Sequence, residues 1–127
     1  DLKKHQCLLY AYCDSVRSWG FEDKQGKKQQ VSVNGSLTAN NGNLICDAVI
    51  NGMGIARLPT FIIGDAIRNG DAKIILDDWR ATPESISLLY PSSRHLSAKV
   101  RTFVDFAVEH FQPAAGEVNY WDKNLPL

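Results

Sequence analysis

Residues 36–61, SLTANNGNLICDAVINGMGIARLPTF, leave the chain little choice of architecture. Leu37, Thr38 and Ala39 run extended into Asn40-Asn41-Gly42, a cluster that breaks a strand and can cap a helix. Over residues 43–51 the only polar side chains are Asn43, Asp47 and Asn51, four apart along one narrow stripe. Leu44, Ile45, Cys46, Ala48, Val49 and Ile50 are apolar, and a helix with so wide an apolar surface needs cover on more than one side. Gly52 and Gly54 end it, and residues 55–58 read as a second strand closed by Pro59. Two strands joined through a helix make a βαβ unit, with parallel strands and a right-handed crossover.

That unit points to small-molecule binding before it points to catalysis. The first-turn N–H groups around residues 41–44 lack intrahelical partners and carry partial positive charge. They follow the carboxyl end of a strand, where open α/β sheets bind ligands, and a carboxylate or similar small polar group suits them. Asn40 and Asn41 fit equally well as a bare turn and cap, and spacing alone does not choose between the two.

The rest of the chain supplies a core around this unit. CLLYAY, residues 7–12, is a continuous apolar run of strand length. Trp19 and Phe21 lie two apart, so an extended backbone puts both rings on one face, where core packing is their expected role. Residues 22–30, with Gly26 in the middle, read as the solvated tip of a hairpin, and Val31 and Val33 alternate with polar neighbours after it. Thr60 is the expected N-cap of a second helix with Ile62, Ile63, Ala66 and Ile67 on its buried face; Asn69-Gly70-Asp71 stops it. Residues 73–76 read as a brief strand and Asp77-Asp78 as solvated loop. ISLLY, residues 86–90, reads as a buried strand. Ser97 precedes the clearest helix, residues 98–111, striped by Val100, Phe103, Val104, Ala107, Val108 and Phe111. The remaining residues are polar, carry Pro113 and Pro126, and read as loop.

Length and composition bound the function. A chain of 127 residues suits one domain and can bury roughly two thirds of its unfolded surface. Fourteen Lys and Arg balance fourteen Asp and Glu, which leaves no electrostatic footprint for nucleic acid. Three cysteines (Cys7, Cys13 and Cys46) form no CxxC pair, an arrangement that favours reduced thiols in the cytoplasm. His5, His95 and His110 are scattered without metal-ligand spacing. No apolar run is long enough to cross a bilayer, so no membrane partner is expected. Without an initiator Met, the sequence reads as a fragment or a processed chain.

Two ordered sets of residues carry a family resemblance: Gly52-x-Gly54-Ile55-Ala56-x-Leu58-Pro59, and Tyr90-Pro91-x-x-Arg94-x-Leu96-Ser97-x-Lys99-Val100-Arg101-x-Phe103-Val104-Asp105-Phe106. Leu2-x-x-His5, Trp19-x-Phe21, Gly26, Val31 and Asn40-Asn41-Gly42 agree with them. Over residues 1–111 the chain resembles the C-terminal region of a LysR-type transcriptional regulator. Each motif is weak alone; their order and spacing carry the likeness.

The resemblance implies an α/β fold: the second lobe of a type 2 periplasmic-binding-protein-like domain, a mixed sheet flanked by helices. To it are added a strand and helix returning from the first lobe. It implies the second lobe over residues 1–84, the crossover strand and helix over 85–112 and an irregular tail over 113–127. The winged helix-turn-helix and most of the first lobe would be absent, and the apolar stripe of residues 98–111 would have lost its cover. It implies a small-molecule effector, an anion among the candidates, held at Thr38, Asn40 and Asn41, with Arg57 and Pro59 nearby. It implies a homodimer or homotetramer built through the helix at 43–51, by Leu44, Ile45, Asp47, Ala48 and Asn51. Promoter DNA would be met only through the missing domain; no cofactor and no catalysis are implied. A solute-binding protein of periplasmic type shares this fold logic. A small hydrolase or transferase would need a nucleophile–base pair or a metal set, and none is evident.

Overall fold

A computed structural model describes residues 1–13, 15–82, 86–90, 97–111 and 118–126. The chain divides into two units, residues 1–83 with 124–127 and residues 84–123.

The first unit is organised by β1, Cys7–Tyr10. The hairpin strands β2 (Ser18–Asp23) and β3 (Lys28–Ser32) follow, then β4 (Thr38–Ala39), α1 (Gly42–Ile50), β5 (Ile55–Ala56), α2 (Thr60–Asn69) and β6 (Trp79–Ala81). β4, β1 and β5 form a parallel sheet in that order, so the two strands of the expected βαβ unit lie on either side of β1. Leu9 pairs with Thr38 and Tyr10 with Ala39 on one edge, Cys7 with Ile55 and Leu8 with Ala56 on the other. The second strand is shorter than expected, since Arg57 and Leu58 lie beyond the paired residues.

β1 alternates its side chains between two layers. Cys7 and Leu9 pack with Leu2, Trp19 and Val33 beneath the hairpin, and Phe21 packs against the same cluster. Leu8 points the other way, onto Ile45 and Ala48 of α1. A strand covered on both faces has no polar side, which is why CLLY reads as one apolar run.

The hairpin forms as its sequence predicts, with a tip tighter than residues 22–30. Asp23 Oδ1 accepts from the Gln25 and Lys27 N–H groups at 3.0 and 2.8 Å, and Gly26 takes φ +82°. Its second neighbour was not expected: β6 pairs antiparallel with β2, Phe21 opposite Ala81 and Asp23 opposite Trp79. Residues 73–76 are correspondingly not a strand; they are irregular, and Leu76 has φ +66°, which breaks extended backbone. Asp78 is solvated and meets Lys24 at 2.9 Å, an exposed pair that contributes little stability.

α1 begins one residue earlier than predicted and ends at Ile50 with Asn51 as its C-cap, after which Gly52 takes φ +70°. Pro59, not Thr60, is the N-cap of α2: its carbonyl accepts from the Ile62 and Ile63 N–H groups at 3.0 and 3.2 Å. Gly70 closes α2 in the left-handed region, as its sequence predicts.

In the second unit α3 spans Ala98–Phe111, and the Val100 N–H reaches Ser97 Oγ at 3.4 Å. Ala107 is buried, whereas Phe103 and Phe106 remain about 60 % exposed. Residues 86–90 form no strand: Ile86, Leu88, Leu89 and Tyr90 are exposed, because no described strand lies alongside to pair their backbone. Among its described residues the segment read as an irregular tail contains a 3-10 turn, Tyr120–Asp122, and the Trp121 ring lies 6.0 Å from the Phe111 ring.

Two loops rest on the backbone of β1 through glycine. A Cβ at Gly35 would lie 1.6 Å from the Cys7 carbonyl oxygen, and one at Gly54 would lie 2.3 Å from that of Gln6. Gly35→Ala is therefore expected to destabilise the fold by at least ~3 kcal/mol. Gly52→Ala, with open space but positive φ, should cost only ~1 kcal/mol. Urea denaturation of the two variants against the parent checks both.

Candidate functional site

All three strands of the parallel sheet point their carboxyl ends to one edge, and the expected ligand residues follow them there. Thr38 is exposed on β4; Asn40 and Asn41 follow it; Arg57 and Pro59 follow β5. The N-termini of α1 and α2 close on each other at this edge, since a Cβ at Gly42 would lie 2.5 Å from Ile62 Cδ1.

Asn41 is the N-cap of α1. Its backbone is extended at φ −122°, ψ 115°, and its Oδ1 accepts from the Asn43 N–H at 2.9 Å and the Leu44 N–H at 3.4 Å. Both readings of the Asn pair thus meet in one residue. The cap takes up two of the amides that an anion would otherwise use, so backbone capture of a ligand by α1 shrinks to the Gly42 N–H. Recognition at this edge falls mainly to side chains.

Asn40 supplies one of them. Its Nδ2 donates to Tyr12 Oη at 3.4 Å, and the Tyr12 ring stands edge-on to Tyr10, 6.2 Å between centroids at 87°. Tyr12 is 74 % exposed and was not singled out from the sequence. Its signal was present: a tyrosine just past a buried strand, at the carboxyl end of a parallel sheet. The edge therefore offers a carboxamide, a hydroxyl on Thr38, a phenol and an aromatic face.

The helix expected to pair two copies is divided by burial. Ile45 and Ala48, expected at the interface between copies, are packed on Leu8 and buried within the chain. Leu44, Asp47 and Asn51 are exposed, and Ile50 joins them. Of the helix's apolar surface, the side carrying Ile45 and Ala48 faces the sheet, and the side carrying Leu44 and Ile50 is left exposed.

Among the described residues the thiols show no nucleophilic arrangement. Cys46 is buried and its Sγ donates to the Ile62 carbonyl at 3.8 Å; burial, then the Asp47 carboxylate, raises its pKa above the ordinary thiol value. Burial raises that of Cys7 likewise. For both, the fold favours the protonated form, so its contribution is complete below the ordinary thiol pKa and lost as pH rises through the raised one. Cys13 is half-buried and donates to the Tyr10 carbonyl at 3.2 Å, not to a His or carboxylate. Among the described residues no group of three or more His, Cys, Asp or Glu is placed to hold a metal. No described helix is long and apolar enough to cross a membrane. A polar groove of about 380 Å³ opens at the opposite, amino edge of the sheet, away from every residue named above as a ligand contact.

Comparison with known proteins places this edge in context. The family model described as LysR substrate binding domain matches residues 1–112. The chain is 31% identical over 110 residues to the HTH-type transcriptional regulator PtxR of Pseudomonas aeruginosa, covering 87% of the chain and 35% of that protein. The regulatory domain of AphB from Vibrio vulnificus superposes with TM-score 0.66 at 31% identity, over 86% of the chain and 54% of that structure. The full-length AphB virulence activator of Vibrio cholerae superposes with TM-score 0.70 at 29% identity, over 85% and 36%. The chain spans about a third of the length of the regulators it matches.

Asn41→Ala should cost ~1 kcal/mol through loss of the α1 cap, measurable by thermal denaturation, whereas Asn41→Asp should be neutral or stabilising. Iodoacetamide at neutral pH should label Cys13 in the native protein and reach Cys7 and Cys46 only on unfolding, as read by peptide mass spectrometry.

Proposed function

The chain belongs to the LysR substrate-binding-domain family, and on that premise we propose that it is the effector-sensing part of a LysR-type transcriptional regulator. The observation that carries this reading is the match over residues 1–112, since it brings the polar edge at Thr38, Asn40 and Asn41 into a domain described by substrate binding. In this proposal residues 1–84 are the second lobe, 85–112 return to the first, and 113–127 form a tail. Thr38, Asn40 and Tyr12 contact a small effector, Arg57 and Pro59 border it, and the Gly42 N–H favours an anionic group. The partner lobe covers the exposed face of α3, and the chain's 54% share of the AphB regulatory domain leaves length for it. The outer face of α1, with Leu44, Asp47, Ile50 and Asn51, meets a second copy.

The regulator acts on DNA in the cytoplasm and catalyses nothing. The relatives are named HTH-type regulators, and this chain corresponds to about a third of each; DNA reading belongs to the remainder. Effector binding shifts the population between arrangements of lobes or subunits, by no more than its differential affinity for them. Moving from 1:99 to 99:1 requires ~5.5 kcal/mol. That shift resets the spacing of paired recognition helices on their half-sites.

A panel of aliphatic and aromatic carboxylates, screened by thermal shift and followed by calorimetry, tests the site. At least one should raise the Tm of the parent, and Asn40→Ala should weaken it about three- to tenfold without unfolding the protein. Unchanged affinity in a folded Asn40→Ala variant removes Asn40 from the site.

A further inference from the structure

We propose that the groove at the amino edge of the parallel sheet is a second ligand site, one that takes a compact phosphoryl-bearing anion. It is independent of the proposed effector site, which lies at the other end of the same strands. The groove is lined by Lys3, Lys4, His5 and Arg17, together with Asn34 and Ser36, and among the described residues no carboxylate lines it. In a chain whose 14 basic and 14 acidic residues balance, three cations and an imidazole around one concavity form a local excess of positive charge.

The walls are fixed by the fold. Leu2 is buried in the core and anchors the 3-10 turn Leu2–Lys4, whose end is held by the His5 N–H on the Leu2 carbonyl at 3.1 Å. Arg17 is held from the other side: its carbonyl accepts from the Val33 N–H at 2.9 Å, and its Nη1 donates to Asn34 Oδ1 at 3.3 Å. The Asn34–Ser36 loop is tied to the start of β1 by the Cys7 N–H on the Asn34 carbonyl at 2.9 Å and by the Ser36 N–H on Gln6 Oε1 at 3.3 Å. Gly35 lets this loop lie against the Cys7 carbonyl. Two separate segments thus present cationic donors to one space, and a third lines it with Asn34 and Ser36.

That donor set suits a phosphoryl group. A guanidinium fork and two ammonium groups offer many N–H donors from several directions, and a phosphoryl dianion has the charge and the terminal oxygens to accept them. A volume of about 380 Å³ is of small-ligand size. Duplex nucleic acid is disfavoured, because the excess charge is concave and local while the chain as a whole is neutral.

The test is calorimetry of the protein with inorganic phosphate and with glycerol 3-phosphate, each against potassium chloride at matched ionic strength. Saturable binding of phosphate is expected. It should weaken about three- to tenfold in Arg17→Gln and, separately, in Lys3→Gln/Lys4→Gln, and stay within about twofold in the hairpin-tip variant Lys24→Gln/Lys27→Gln. Equal affinity for the two anions identifies the phosphoryl group itself as the ligand; tighter glycerol 3-phosphate identifies a phosphorylated metabolite. Lys3→Gln/Lys4→Gln provides the readout should Arg17→Gln fail to fold. Heats no different from chloride, an equal loss in the hairpin-tip variant, or tighter binding of a short DNA duplex at the same ionic strength overturns the proposal.

Discussion

Strand β1 has to satisfy both of its faces and both of its edges at once. Its edges are taken by β4 and β5, its faces by the hairpin layer and by α1. Burying a side chain such as Leu8 or Leu9 stabilises by about 1.5–3 kcal/mol, but only if each finds apolar cover on its own side. That double demand puts α1 on one side of the parallel sheet and the β2–β3–β6 sheet on the other. It also aligns the carboxyl ends of three strands and the N-termini of two helices at a single edge, so the candidate ligand site is a by-product of how the core is filled.

Much of this was legible in the residues. The apolar run at Cys7, the polar triplet Asn43, Asp47 and Asn51, and the stripe of α3 each announce their element through periodicity. The failures share a physical cause: a strand exists by virtue of its neighbour. Trp79–Ala81 looks unremarkable in sequence and becomes β6 because β2 has a free edge at Phe21–Asp23. Residues 86–90 look like a strand and are not one, since no described neighbour completes their ladder. Ile45 and Leu44 are equally apolar, and only the position of Leu8 decides which faces the core. Asn41 was readable as a cap; Tyr12 was not readable as the partner of Asn40, because that pairing depends on β1 and β4 lying side by side.

The two ends of the parallel sheet are chemically unlike. At the carboxyl edge Asn41 takes up two of the α1 amides, and what remains is polar and aromatic surface from Asn40, Thr38, Tyr10 and Tyr12, with the cation Arg57 following β5. In the proposed function, recognition at such an edge rests chiefly on hydrogen-bond geometry and shape. At the amino edge the walls carry cations and the attraction is long-ranged, so discrimination there follows charge. Membership of the LysR substrate-binding-domain family accounts for the architecture that separates the two.

The clusters on the two faces of β1 share no side chain. Trp19 and Val33 hold the hairpin layer, Ile45 and Ala48 the helical one, and the strands of the parallel sheet lie between them, β1 and β5 each giving side chains to both. The molecule is thus built to breathe in halves: the hairpin can detach transiently while the helical layer stays closed, and the reverse. Amide protons in β2 and β3 should then exchange with deuterium through a different opening from those of α1, with the β1 amides slowest of all.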